Sequence, residues 1–234
     1  MARREAYAAA IIPFPRPKGA AGERIVQDIR FRSLLGAEKW DRLPAPIRAR
    51  FGRCLPAGCT VTYVGEIVET RMSWAGWLLA QLLRPIGAPL PVNRAAWVPA
   101  TVAVTADAQG SGQYWTRIYG RRRHFPQVIQ SSKRFAGPTG LEENLGHGIG
   151  IALKADADET SIWFVSDHLF LTVLGKRIAL PHWLTPGTLT ISHIDCGHGD
   201  FAFVLKLDHR WLGELIGQIA IFSERPNPTE RGAR

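Results

Sequence analysis

Between Phe201 and Leu207, Phe201, Phe203, Leu205 and Leu207 alternate with Ala202, Val204 and Lys206. A period of two is the mark of a strand with one face in a core, because successive side chains leave a strand on opposite sides. The period sets in after Cys59. It predicts strands over 60–71, 96–106, 112–120, 124–135, 143–155, 160–166, 168–174, 187–195, 200–208 and 216–223. Turn residues separate them, at Asp107–Gly112, Gly137–Gly140, Asp156–Glu159, Gly175–Lys176 and Gly197–Gly199. Consecutive short strands with tight turns predict an antiparallel meander, curved or closed into a barrel so that few edges stay open.

Helices are expected only around this sheet, which makes the fold class α+β. Residues 1–22, rich in Ala, Pro, Gly and Arg, read as an arm, and 225–234 as a tail, leaving 23–224 as one domain. Ile25, Ile29, Leu34 and Leu35 have helical spacing over 23–35, and short helical turns are expected around 38–40 and 46–51. Ser73 can cap an apolar helix over 73–84, ended by Pro85 and Gly87, that covers the sheet. With 46% hydrophobic and 21% charged residues, the 234-residue chain can build a sizeable core.

The net charge of +9 divides unevenly, with +7 in 1–60, +6 in 61–140 and −4 in 141–234. Such polarity can attract anions, although opposite solvated faces would look the same. Three cysteines make no disulfide framework, and no apolar run is long enough to span a bilayer. A cytoplasmic location is expected, with peripheral membrane contact as an addition. Trp74 and Trp77, framed by Arg71 and Arg84, could lie at headgroup depth, or simply in a core. Arg121–Arg123 and His124 could hold phosphates, but no interleaved aromatics or recognition motif accompany them, so nucleic acid is not an expected partner.

Several motifs fail on context. Gly146-His-Gly-Ile-Gly150 runs into a strand rather than a helix, so it reads as a bulge or bend and not a dinucleotide loop. Asp156-Ala-Asp-Glu-Thr160 matches an aspartyl-phosphatase pattern but lacks the parallel sheet that chemistry uses; a hairpin turn is the better reading. His193, Asp195, Cys196 and His198 are the densest set of metal-ligating types. No second Cys/His pair supports them, and no metal or cofactor is expected.

The constellation that stands out is Trp115, Arg117 and Tyr119, which share one face of a strand. If that face points inward, the guanidinium needs a carboxylate or an anionic ligand, because a lone buried charge is very costly. Glu142 and Glu143 are the obvious carboxylates. An outward, solvated Arg is the other reading.

Trp115-Thr-Arg-Ile-Tyr-Gly120, Phe125 and Leu141-Glu-Glu-Asn-Leu-Gly146 resemble the middle of a bacterial family known as domain of unknown function 4166. The resemblance continues through Leu174-Gly-Lys-Arg-Ile-Ala-Leu-Pro181, Leu184, Pro186, Gly199-Asp-Phe-Ala-Phe203 and 209–222, with order and spacing kept from about Phe31 to Phe222. It implies no established activity. Some members carry the domain behind a saccharopine-dehydrogenase-like nucleotide-binding domain, whose cofactor is not carried over to these residues. By resemblance, Trp115, Arg117 and one of Glu142 or Glu143 are family-typical polar positions.

Three functions follow as expectations. The first is a non-catalytic binding domain whose apolar interior takes a lipid-like or amphiphilic small molecule, with Arg117 on an anionic head and Trp115, Tyr119 and Trp163 lining the cavity. The second is an accessory domain that docks an acidic protein or an anionic membrane. The third, an enzyme using Arg117 and a glutamate as an acid/base pair, is the less expected.

Overall fold

The computed structural model describes residues 28–108 and 112–223; the sequence-predicted arm and tail, and the first turns of the helix expected from residue 23, lie outside them. Three short helices come first: α1 (Arg30–Leu35), α2 (Ala37–Arg42) and α3 (Ala45–Phe51). Strand β1 (Thr60–Met72) leads into α4 (Trp74–Leu82), whose cap is the one expected, Ser73 Oγ accepting from the Gly76 amide at 3.1 Å. The sheet continues with β2 (Val98–Ala106), β3 (Gly112–Tyr119), β4 (Gln127–Arg134), β5 (Leu141–Gly146), β6 (Ile149–Ala157) and β7 (Ser161–Val173). It ends with β8 (Lys176–Ala179), β9 (Thr188–Gly197), β10 (Asp200–His209) and β11 (Gly213–Ser223).

Every strand pairing is antiparallel. The order β6-β5-β4-β3-β2-β1-β11-β10-β9-β7 closes on itself through a β6–β7 pairing, giving a ten-strand barrel with β8 outside it on the edge of β7. Ten strands exceed the roughly eight whose interior side chains alone can fill, so such a barrel has room for a small molecule.

Three expectations are corrected. The predicted strand 143–155 is two strands, β5 and β6. The glycines 146–150 form neither bulge nor bend but a hairpin connection, in which His147 (φ 51°) and Gly148 (φ 77°) both take left-handed backbone, the geometry of tight hairpin turns. Conversely, 160–166 and 168–174 are one continuous strand, β7, and β8 had no counterpart in the sequence reading.

One end of the barrel is closed by the N-terminal helices. They bury Phe31, Trp40, Leu43, Ile47 and Phe51 against Leu141, Ile151, Leu153, Ile162 and Phe164, each large side chain contributing roughly 1.5–3 kcal/mol. Phe31 meets Phe51 and Phe135 edge-on at 5.0 and 4.9 Å. At the other end α4 packs on β11 and β1, where the Leu215 carbonyl lies too close to Gly76 for any side chain.

Outside the barrel wall, Phe170 lies over Gly150, where a Cβ would fall 2.2 Å from its ring. A Gly150→Ala variant is therefore expected to lose about 1–3 kcal/mol by overpacking, measured as a lower urea midpoint with unchanged slope.

Candidate functional site

The register of β3, β4 and β5 decides which polar groups enter the barrel. Trp115 stands opposite Ser131, Gln113 opposite Lys133, and Lys133 opposite Glu143, so all of these share a face with Arg117 and Tyr119. That face is the interior. Arg117, Tyr119, Lys133 and Glu143 are all buried, Glu143 at 2% exposure.

Arg117 Nη2 donates to Glu143 Oε1 at 2.9 Å, and its Nη1 donates to Ser131 Oγ at 3.3 Å. Ser131 Oγ donates to the same carboxylate oxygen at 2.6 Å, while Lys133 Nζ donates to Oε2 at 2.5 Å. Burial alone would raise the Glu143 pKa, but Lys133 and Arg117, with the hydrogen bonds from Lys133 and Ser131, hold it far below the usual carboxylate range. Burial opposes the Arg117 cation, yet Glu143 outweighs it and keeps the guanidinium firmly protonated. For Lys133 the balance tips the other way: burial, aided by the charge of Arg117, lowers its pKa despite Glu143. Burial raises that of the Tyr119 phenol. Two cations thus share one carboxylate.

Beside this cluster lies a partly open cavity of about 440 Å³. Arg117, Tyr119 and Glu143 contribute to its wall, and nearly all the rest is aliphatic, including Leu171, Leu189, Ile191, Leu205 and Leu207 from the strands. Leu79 and Leu83 of α4 and Leu180 to Gly187 before β9 frame the end away from α1–α3. The helix-capped half is filled instead by aromatic rings, leaving a void of only about 50 Å³ among Trp115, His193, Phe201 and Phe222.

The other candidate residues fall elsewhere. Glu142 is buried on the opposite face of β5, where it pairs with Arg177 of β8 at 2.5 Å; that guanidinium also stacks over Phe170 at 4.0 Å. Trp163 alternates with the inward Ile162 and Phe164 and lies outside the cavity lining. Trp115 lines the small aromatic void, within 5.8 Å of the Arg117 guanidinium and 5.1 Å of the Lys133 ammonium. Sequence reasoning passed over Lys133 and Ser131; the alternation of Gln127, Ile129, Ser131 and Lys133 could have placed them on one face.

The rejected motifs occupy turns and walls. Asp158 accepts from the amides and hydroxyls of Thr160 and Ser161 in the β6–β7 hairpin, and Asp156 pairs with Lys39. His193 is packed between Phe51 and Phe201, whereas Cys196 is exposed. Among the described residues no group of three or more His, Cys, Asp or Glu converges as metal ligands, and no helix is long and apolar enough to cross a membrane.

Fold and interior together define a closed antiparallel β-barrel domain with an aliphatic cavity set against a buried charge cluster. The chain belongs to the family described as Domain of unknown function (DUF4166), whose model matches residues 43–222. Comparison with curated proteins gives no match.

Proposed function

We propose that the barrel is a non-catalytic binding domain for an anionic, lipid-like amphiphile. The observation that carries this reading is the aliphatic cavity of about 440 Å³ with Arg117 in its wall, a volume within the range of small-molecule sites, roughly 300–1,000 Å³. The apolar chain would fill the aliphatic part. The head would meet Arg117 and Tyr119, where the formal charge of two cations and one carboxylate is positive and an anion would balance it. Glu143, held ionised by three donors, makes a poor proton acceptor, which speaks against the acid/base alternative.

Native mass spectrometry of the purified protein should show an added mass that is released on denaturation. After delipidation, a fluorescent long-chain carboxylate should bind at least about tenfold more tightly than the matching alcohol, as expected for a charge-assisted bond in a dry site. Leu205→Trp, which fills the aliphatic part, should abolish both. Equal binding of acid and alcohol, or binding unchanged by Leu205→Trp, would overturn the reading.

A further inference from the structure

The two ends of the barrel differ in chemistry. The end framed by α4 is formed by five connections, over 73–97, 120–126, 147–148, 174–187 and 210–212. These contain two arginines in the first, three in the second, Lys176 and Arg177 in the fourth and Arg210 in the last, and no Asp or Glu. Connections at the helix-capped end carry Asp107, Asp158 and Glu159 against Arg53. The α4 end also holds five of the eight tryptophans with their rings exposed: Trp74, Trp77, Trp97, Trp183 and Trp211. Phe125 and Leu174, at 93% and 98% exposure, stand on the same rim.

Helix α4 joins this rim to the cavity. Its Leu79 and Leu83 line the cavity, while Trp74, Trp77, Leu78 and Leu82, at helical spacing i, i+3, i+4 and i+8, form an apolar stripe facing solvent. Beside Trp77 an open depression of about 560 Å³ is edged by Arg94 and Arg121–Arg123. Tryptophans and aliphatics beside arginines, with no acid among them, suit the interface of a bilayer: the rings sit at headgroup level and the arginines meet lipid phosphates.

We infer that this rim docks on an anionic phospholipid surface, with the cavity mouth against the lipid. The docking goes beyond the cavity reading, since a barrel could fill its interior from solution with a polar rim. An acidic protein would account for the arginines but leaves the apolar stripe and exposed rings without a role.

The experiment is co-sedimentation of the full chain with phosphatidylcholine vesicles and with mixed phosphatidylcholine–phosphatidylglycerol vesicles, at low and high salt, with tryptophan fluorescence followed in parallel. Binding is expected on the mixed vesicles only, with a blue-shifted tryptophan emission and weakening at high salt. Arg122→Glu with Arg123→Glu should weaken it at least roughly tenfold, and Trp74→Ala with Leu82→Ala should remove the blue shift. These side chains are exposed, so the thermal midpoint of either variant should match the parent and separate lost docking from lost folding. No binding to mixed vesicles, equal binding to both kinds, or binding indifferent to both double variants would overturn the inference, as would retention by a polyglutamate matrix without vesicle binding. The Leu205→Trp variant should dock normally, so a failed cavity reading and a failed docking reading give different results.

Discussion

A Glu143→Gln variant is expected to lose about 3–5 kcal/mol of unfolding free energy at neutral pH, the penalty for leaving buried charge without its partner. The carboxylate is 2% exposed and receives Arg117, Ser131 and Lys133. A neutral amide would leave two cations on one inner face with nothing to balance them. Lys133 should then release its proton in the folded state, because its pKa already lies below the ordinary 10.5 with Glu143 present. The unfolded lysine would keep its proton, so the unfolded state binds more protons and stability rises with pH. The variant's deficit should therefore shrink between pH 7 and 10. Lys133→Met should be much milder, since Arg117 and Glu143 remain as a balanced pair. Urea titrations of the three proteins across that range provide the check; equal losses for Glu143→Gln and Lys133→Met would show that charge balance does not govern the cluster.

The same cluster shows how much was legible in the sequence. A two-residue period says that Trp115, Arg117 and Tyr119 share a face, and closure of the sheet turned that face inward with Glu143 as the partner of Arg117. Which glutamate would pair was not legible. Glu142 and Glu143 are adjacent and so point to opposite sides of β5, and only the register with β4 selects one; a slip of one residue would exchange them. Trp163 was misplaced as a cavity residue for the same reason. The β5–β6 hairpin was hidden because Ile149, Ile151 and Leu153 continue an apolar alternation across His147 and Gly148, and the left-handed backbone of the two turn residues leaves no mark in that pattern. Local periodicity reports the faces of one strand. Pairing partners are set by contacts distant in sequence.

The barrel's two halves also answer the question raised by the uneven charge. Its +9 is not carried inside, where the described cluster contributes a single formal excess of positive charge. Eight basic residues gather instead in the connections of one end, around the mouth of an aliphatic cavity. Interior and rim thus ask for the same chemistry, an anionic head on an apolar chain. One site takes it as a single molecule and the other as a surface.

Acid should destabilise the fold in two steps, and His193 supplies the first. Its ring lies in the aromatic half of the barrel, 4.4 Å from Phe201 and 5.1 Å from Phe51 between centroids. Its Nδ1 has no hydrogen-bond partner among the described residues. Burial chiefly, with the charge of Arg50, pushes its pKa down to about 3 from the ordinary 6.5. As pH falls below 6.5 the unfolded imidazole takes a proton that the folded one refuses, so stability declines, and the decline is complete only near pH 3. At about 1.4 kcal/mol per pH unit, the loss reaches roughly 2 kcal/mol by pH 5. Glu143 acts later: its folded pKa is depressed, so its contribution is intact above the carboxylate range and goes only as pH falls through and below 4.5. The interval between pH 7 and 5 therefore isolates His193. A His193→Phe variant, which keeps an aromatic ring against Phe51 and Phe201, should show a nearly flat urea midpoint over that interval while the parent falls. A parent that is itself flat there, or a variant that falls as steeply, would place the acid sensitivity elsewhere.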